Sequence, residues 1–284
     1  MVSAEAYDEG MRPLLFAFLP ALLSAAPALQ IVRPIISQMD GGVAEPAGFS
    51  HVAGETIWVQ CRVAGFSKTD NEEVHLKYSV QAFDPKGVAL DEIYENELKA
   101  EAGPQDKDWQ PKIATSISIP PLAAPGEYKI VVKVEDVVAK ANAELPIPFK
   151  VRGHDVEPSE TLIVRNFQFF RDEEGTKVME KPIYHPGDGV WARFDIIGYK
   201  FGAKNKVDVS YVTSVIAPGG KVLWTQPEPA AEQSDSFYPK RYVPAAMGIN
   251  LTKTIRPGEY TIAVKCTDAE GKQNYEASFP FTIE

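Results

Sequence analysis

Cysteine and histidine are scarce in this sequence, with two and four among 284 residues. The histidines, His51, His75, His154 and His185, form no i,i+4 pair and have no cysteine neighbour at zinc-ligand spacing, so a zinc site is not expected. H-E-x-x-H, G-x-S-x-G and phosphate-cradling glycine loops are also missing, which removes the common metalloprotease, serine-hydrolase and nucleotide-binding readings. Neither a cofactor nor an enzymatic activity is expected. Basic charge is short too: 29 Lys and Arg stand against 39 Asp and Glu, a net charge of −10 at neutral pH. Such a body repels phosphate backbones and anionic lipid surfaces, which excludes nucleic acid as a partner. Helical periodicity is absent beyond the N-terminal region, and the one apolar run of any length is residues 14–23.

That run follows Arg12 and precedes Ala26-Pro27-Ala28, the layout of a secretory signal with an A-x-A cleavage pattern. It is short for a bilayer span and is broken by Pro20, which disfavours the alternative of an uncleaved membrane anchor. Residues 1–10 include Glu5, Asp8 and Glu9, unlike the positive opening of such signals, so Met11 is a second candidate start. Cleavage after Ala28 leaves a periplasmic or extracellular chain with no transmembrane segment and no cysteine near its start to accept a lipid.

The rest of the chain is one module written twice. Ile31-Val32-Arg33 recurs as Ile163-Val164-Arg165, Gly54 and Trp58 as Gly187 and Trp191, and Gly65-Phe66 as Gly198-Tyr199. The turns Pro85-Lys86-Gly87 and Pro218-Gly219-Gly220 match, and Pro125-Gly126-Glu127-Tyr128 returns letter for letter as Pro257-Gly258-Glu259-Tyr260. The organisation expected is a signal peptide at 1–28, a first module at 29–151, a linker at 152–160 and a second module at 161–284. Within each copy the apolar period is two. Ile57, Val59, Cys61 and Val63 alternate with polar or outward residues, as do Val190, Ala192, Phe194 and Ile196, and Tyr128, Ile130, Val132 and Val134 repeat the pattern later. About seven such runs per copy predict an all-β chain of two antiparallel sandwiches.

With its Pro-Gly-x-Tyr entry into a late strand at Tyr128 and again at Tyr260, the chain resembles tandem immunoglobulin-like or fibronectin type III-like domains of exported bacterial proteins. The resemblance implies a sandwich with a tyrosine corner in each copy and implies no particular function.

Candidate sites follow from what the copies share and where they differ. Cys61 aligns with Phe194 and Cys266 with Val134, so both read as buried free thiols rather than a disulfide. Trp58 and Trp191 lie on the face opposite the core, where packing under a neighbouring element competes with ligand stacking. The loops after Gly65 and Gly198 differ in charge: Lys68, Asp70, Glu72 and Glu73 in the first, Lys200, Lys204 and Lys206 in the second. Such charges either steer a partner or are solvated loops that drifted apart. The long segments 91–109 and 224–242 carry Trp109, Trp224, Phe237, Tyr238 and Tyr242, aromatics suited to anchoring a protein partner or stacking on sugars, or to folding back over the sheets. Acidic turns beginning at Asp172 and Asp268 lack the ligand count of a calcium loop and read as hairpin turns. Together these features point to a non-catalytic exported module that binds an exported or envelope protein, with carbohydrate binding or adhesion as the alternative.

Overall fold

The computed structural model describes residues 28–284, so the export signal falls outside the described residues up to its last position. The described chain is all β, with two three-residue 3-10 turns and no α-helix. No helix among the described residues is long and apolar enough to cross a membrane.

The first copy contains β1 (Gln30–Ser37), β2 (Ser50–Val52), β3 (Thr56–Ala64), β4 (Glu73–Phe83), β5 (Tyr94–Glu101), β6 (Lys112–Ser118), β7 (Gly126–Asp136) and β8 (Ala141–Arg152). A three-stranded sheet β1-β3-β6 faces a five-stranded sheet β2-β8-β7-β4-β5. The second copy contains β9 (Ile163–Phe170), β10 (Ile183–Tyr184), β11 (Gly189–Ile197), β12 (Val207–Ile216), β13 (Val222–Thr225), β14 (Ala230–Ser234), β15 (Val243–Asn250), β16 (Gly258–Asp268) and β17 (Gln273–Ile283). Here β15-β11-β9 faces β10-β17-β16-β12-β13, and β14 also pairs with β12. Each copy is an immunoglobulin-like sandwich whose inward residues build a separate core.

The strand count is eight and nine rather than about seven. The additions β2 and β10 are short strands paired in parallel to β8 and β17, made where the chain crosses from the small sheet to the edge of the large one. The segments 91–109 and 224–242, which looked irregular, supply the edge strands β5 and β14. An edge strand carries polar residues on both faces, as Tyr94–Glu101 does, so the period-two signal fails there.

The repeat register also shifts by one at its start. In β1 a bulge places residues 33 and 34 opposite a single residue of β3, and in β9 residues 166 and 167 occupy that place against β11. Arg33 and Asn166 are the residues with positive φ, 52° and 51°. The structural equivalent of Ile31 is therefore Val164, and the letter match of Ile31-Val32-Arg33 to Ile163-Val164-Arg165 is one residue out of step.

The Pro-Gly-x-Tyr motif is explained by two contacts. Tyr128 Oη donates to the Ala124 carbonyl at 2.7 Å, and Tyr260 Oη donates to the Arg256 carbonyl at 2.8 Å, which makes both tyrosine corners. Gly126 and Gly258 lie under the proline of the neighbouring turn; a Cβ on them would come within 2.7 Å of Pro85 Cγ and 2.8 Å of Pro218 Cγ. Hence the two repeated motifs recur together. Trp191 is half-buried and lies flat over Gly248, its partner on β15, where a Cβ would stand 2.1 Å from the ring. Trp58 is also half-buried and pairs with Ser37 and Ser116, so small residues make room for both indoles.

Cys61 and Cys266 are buried free thiols in separate cores. Burial raises them to about 11 and about 12, from an ordinary 9.0. The folded chain then keeps two protons that the unfolded chain releases above pH 9, so this contribution to stability is present below that pH and is lost as pH rises through 11. In a thiol titration at pH 8 we expect no reaction in the native protein and two equivalents in denaturant. A count of zero in denaturant would mean a disulfide.

Candidate functional site

One end of each sandwich lies beside its tyrosine corner, and the two copies use that end differently. In the first copy it is filled by a loop of the second. Tyr238 is buried in the first copy's core, and its hydroxyl donates to Asp84 Oδ2 at 2.9 Å. Arg241 pairs with the same carboxylate oxygen and donates from Nε to Tyr238 Oη at 3.1 Å. The other oxygen, Asp84 Oδ1, accepts the backbone N–H groups of Lys86 and Val88, each at 2.8 Å. Asp84 has no exposed side-chain surface, so each hydrogen bond replaces one it would have made to water. Burial, with Tyr238 next, pushes the Tyr128 phenol up, placing the corner tyrosine at the foot of this plug.

The equivalent end of the second copy is open. Asp84 corresponds to Ala217, and Tyr128 to Tyr260. Both residues line a groove of about 940 Å³ whose apolar wall includes Leu223, Trp224, Ile249, Leu251 and Ile255. The turn into it, Pro218-Gly219-Gly220, has both glycines at φ near +89°, which turns the chain sharply into β13. Lys221 and Arg256 are the only charged residues of the lining, and neither is in an ion pair among the described residues.

β13 is also an edge. It pairs with β12, and among the described residues no strand lies on its other side. Val222, Leu223 and Trp224 are 53%, 46% and 37% exposed, an apolar edge of the kind proteins usually blunt with charge. The first copy does blunt the corresponding stretch, residues 89–92: Leu90, in the place of Leu223, is buried, and Asp91 and Glu92 add exposed charge.

The other residues singled out from the sequence are not gathered here. Trp109 packs edge-on against Phe66, centroids 5.7 Å apart, and is partly buried on the first core. Tyr238 and Tyr242 are buried, so they fill the interior rather than present a surface. Phe237 is exposed beside them, its carbonyl accepting from Asn205 Nδ2 at 2.6 Å. Lys200 Nζ donates to the Glu160 carbonyl at 2.9 Å, and Lys206 pairs with Glu270 at 2.8 Å, a hydrogen bond that raises its pKa. Lys204 is exposed with φ of 58°. These lysines stand near the start of β12, and Trp224 pairs with Val215 near its end, so the two sets occupy opposite ends of the sandwich. The sequence reading missed Asp84, Lys221, Arg241 and Arg256. The signal that finds the first two is the contrast between copies, Asp84 against Ala217 and Val88 against Lys221.

A second, shallower pocket of about 680 Å³ lies where residues 153–160 cross the small sheet of the second copy. The buried Asp195 carboxylate takes hydrogen bonds from Asn166 Nδ2 at 2.7 Å and from His154 Nε2 at 2.6 Å, and Tyr242 meets His154 edge-on. Among the described residues no serine, threonine or cysteine lines it beside this Asp–His pair. Its effect is to fasten the connecting segment. Among the described residues no group of three or more His, Cys, Asp or Glu is placed to hold a metal ion. The acidic turns are hairpin turns, in which Asp172 and Asp268 accept backbone N–H groups from Thr176 and Gly271.

No protein-family model matches the chain, and no curated protein matches it. Among solved structures it is similar to the C-terminal domain of the AgI/II polypeptide BspA of Streptococcus agalactiae, at 11% identity and a TM-score of 0.29, covering 88% of this chain and 100% of that one. It is also similar to a family 123 glycoside hydrolase from Clostridium perfringens, at 13% identity and a TM-score of 0.29, covering 44% of this chain and 27% of the hydrolase. Likenesses this distant carry nothing about activity or partners.

Proposed function

We propose that the chain is a non-catalytic, exported binding protein, built as modules 29–151 and 161–284 joined by 152–160, whose second module receives a segment of an envelope protein in its open groove. The observation that supports this most is the plug in the first module. There the same end of the same fold already holds a polypeptide loop, anchored by Tyr238. The second module keeps the apolar wall, adds an exposed apolar edge strand and, among the described residues, has no loop in the groove.

The test compares the mature chain with a Trp224→Ala variant as baits for proteins of the native envelope, beside a glycan array read by tryptophan fluorescence. Central aromatics dominate interface energies, so a partner protein should lose about tenfold or more in affinity for the variant. A glycan that quenches Trp224, with no protein retained in a Trp224-dependent way, would favour carbohydrate binding and overturn this reading.

A further inference from the structure

Resting on that reading, we propose that the groove of the second copy is specific for a protein loop bearing an aromatic anchor flanked by carboxylates. In the first copy the wall is acidic and the loop basic: Asp84 receives both Tyr238 and Arg241, with Lys240 adjacent in sequence. The second copy reverses the sign of the wall. Ala217 replaces Asp84, Lys221 stands where the first copy has Val88, and Arg256 stands where it has Ala124. A loop like the one around Tyr238 would bring Arg241 toward two cations and find no carboxylate to pair with. A loop of opposite charge would satisfy both, with the planar Arg256 guanidinium suited to a bidentate carboxylate. Lys221 and Arg256 are exposed on the rim, so they set orientation and choice of partner, while the anchor buried against the apolar wall supplies affinity. On a chain of net charge −10 such a groove is a local inversion of the surface sign.

The chain's own first-copy loop at 104–110 does not fit this description. It carries Asp106 and Asp108, but its aromatic residue, Trp109, is packed on Phe66. We take the occupant to be a loop of another protein; a second copy of this chain, which exposes Tyr94 between Glu92 and Glu95, is the competing outcome that the self-association measurement reads.

The test is a phage-displayed library of disulfide-closed loops built on residues 236–242, with the positions of Lys240, Arg241 and their neighbours randomised. Selection is on the mature chain, after subtraction on the Trp224→Ala variant. Recovered loops should be enriched in Asp and Glu and bind about tenfold or more tighter than the unaltered loop in about 0.05 M salt. That advantage should shrink in about 0.5 M salt. A Lys221→Glu/Arg256→Glu double variant, altered only at exposed positions, should prefer basic loops. Neutral or basic loops from the parent chain, or acidic loops indifferent to the double variant, would overturn the charge assignment and leave the groove as a protein site. Recovery of no loop, together with a glycan that quenches Trp224, would overturn the underlying reading as well. Concentration-dependent self-association abolished by the double variant would make a second copy the occupant and overturn the inference.

Discussion

Replacing Asp84 with alanine is expected to cost about 3 kcal/mol of stability and to release the two copies from one another. The side chain is fully enclosed and serves four donors: the backbone N–H groups of Lys86 and Val88, the Tyr238 hydroxyl and the Arg241 guanidinium. Alanine leaves all four without an acceptor, and Arg241 becomes a partly buried cation with no counter-ion. The Tyr238→Phe change keeps the ring in the first core and removes one hydrogen bond, so it should cost about 1 kcal/mol. Denaturant unfolding gives the energies, and small-angle scattering reads the second effect as a larger radius of gyration for Asp84→Ala alone. Equal losses in the two variants, or an unchanged radius for Asp84→Ala, would show that the carboxylate does not hold the copies together.

The second large effect is expected at a pair of aspartates that the copies share. Asp136 ends β7 and Asp268 ends β16, and both are buried. Asp136 accepts the N–H groups of Ser67 at 2.6 Å, Val138 at 2.9 Å and Ala139 at 3.2 Å. Asp268 accepts those of Lys200 and Gly271, each at 2.9 Å, and the Gln273 side-chain amide at 3.0 Å. Each carboxylate thus ties the loop after Gly65 or Gly198 to the last hairpin of its own copy. Alanine at either position should destabilise by about 3 kcal/mol, because three donors lose their acceptor in a buried place. Asparagine should recover part of that loss, since its amide oxygen still accepts. Hydrogen exchange should quicken in residues 65–73 for Asp136→Ala and in residues 198–206 for Asp268→Ala. Quickening in both loops for either variant would mean that the two copies do not stand as separate cores.

The doubled sandwich was legible because its signals are local. Alternation in β3, β7 and β11 marks inward residues that the structure buries, and Pro-Gly-x-Tyr fixes a corner whose hydrogen bond spans four residues. The cysteine assignment followed from the same alternation. What escaped depends on distant parts of the chain. Asp84 sits in a turn that reads as solvated, and nothing near it in sequence announces Tyr238, 154 positions away. For Tyr238 and Tyr242 the sequence left open whether they anchor a partner or fold back over the sheets, and the structure takes the second course, because what buries them lies far away in the chain. The early register slipped because the three-letter match Ile-Val-Arg falls one residue away from the ladder pairing, and the bulge that both copies share at Arg33 and Asn166 shows itself only in that pairing. Trp224 was found as an aromatic residue. Its neighbours Lys221 and Arg256 were not, since they reach one groove from two different turns.

The most direct test of the open end of the second copy as the binding site is hydrogen exchange on the mature chain, with and without the tightest loop selected against it. Protection should appear at Val222–Thr225 and through residues 249–257, while the corresponding stretch of the first copy, residues 89–92, and the Tyr238 plug stay unchanged. Protection at residues 89–92, or release of the plug with no change at Val222–Thr225, would contradict it.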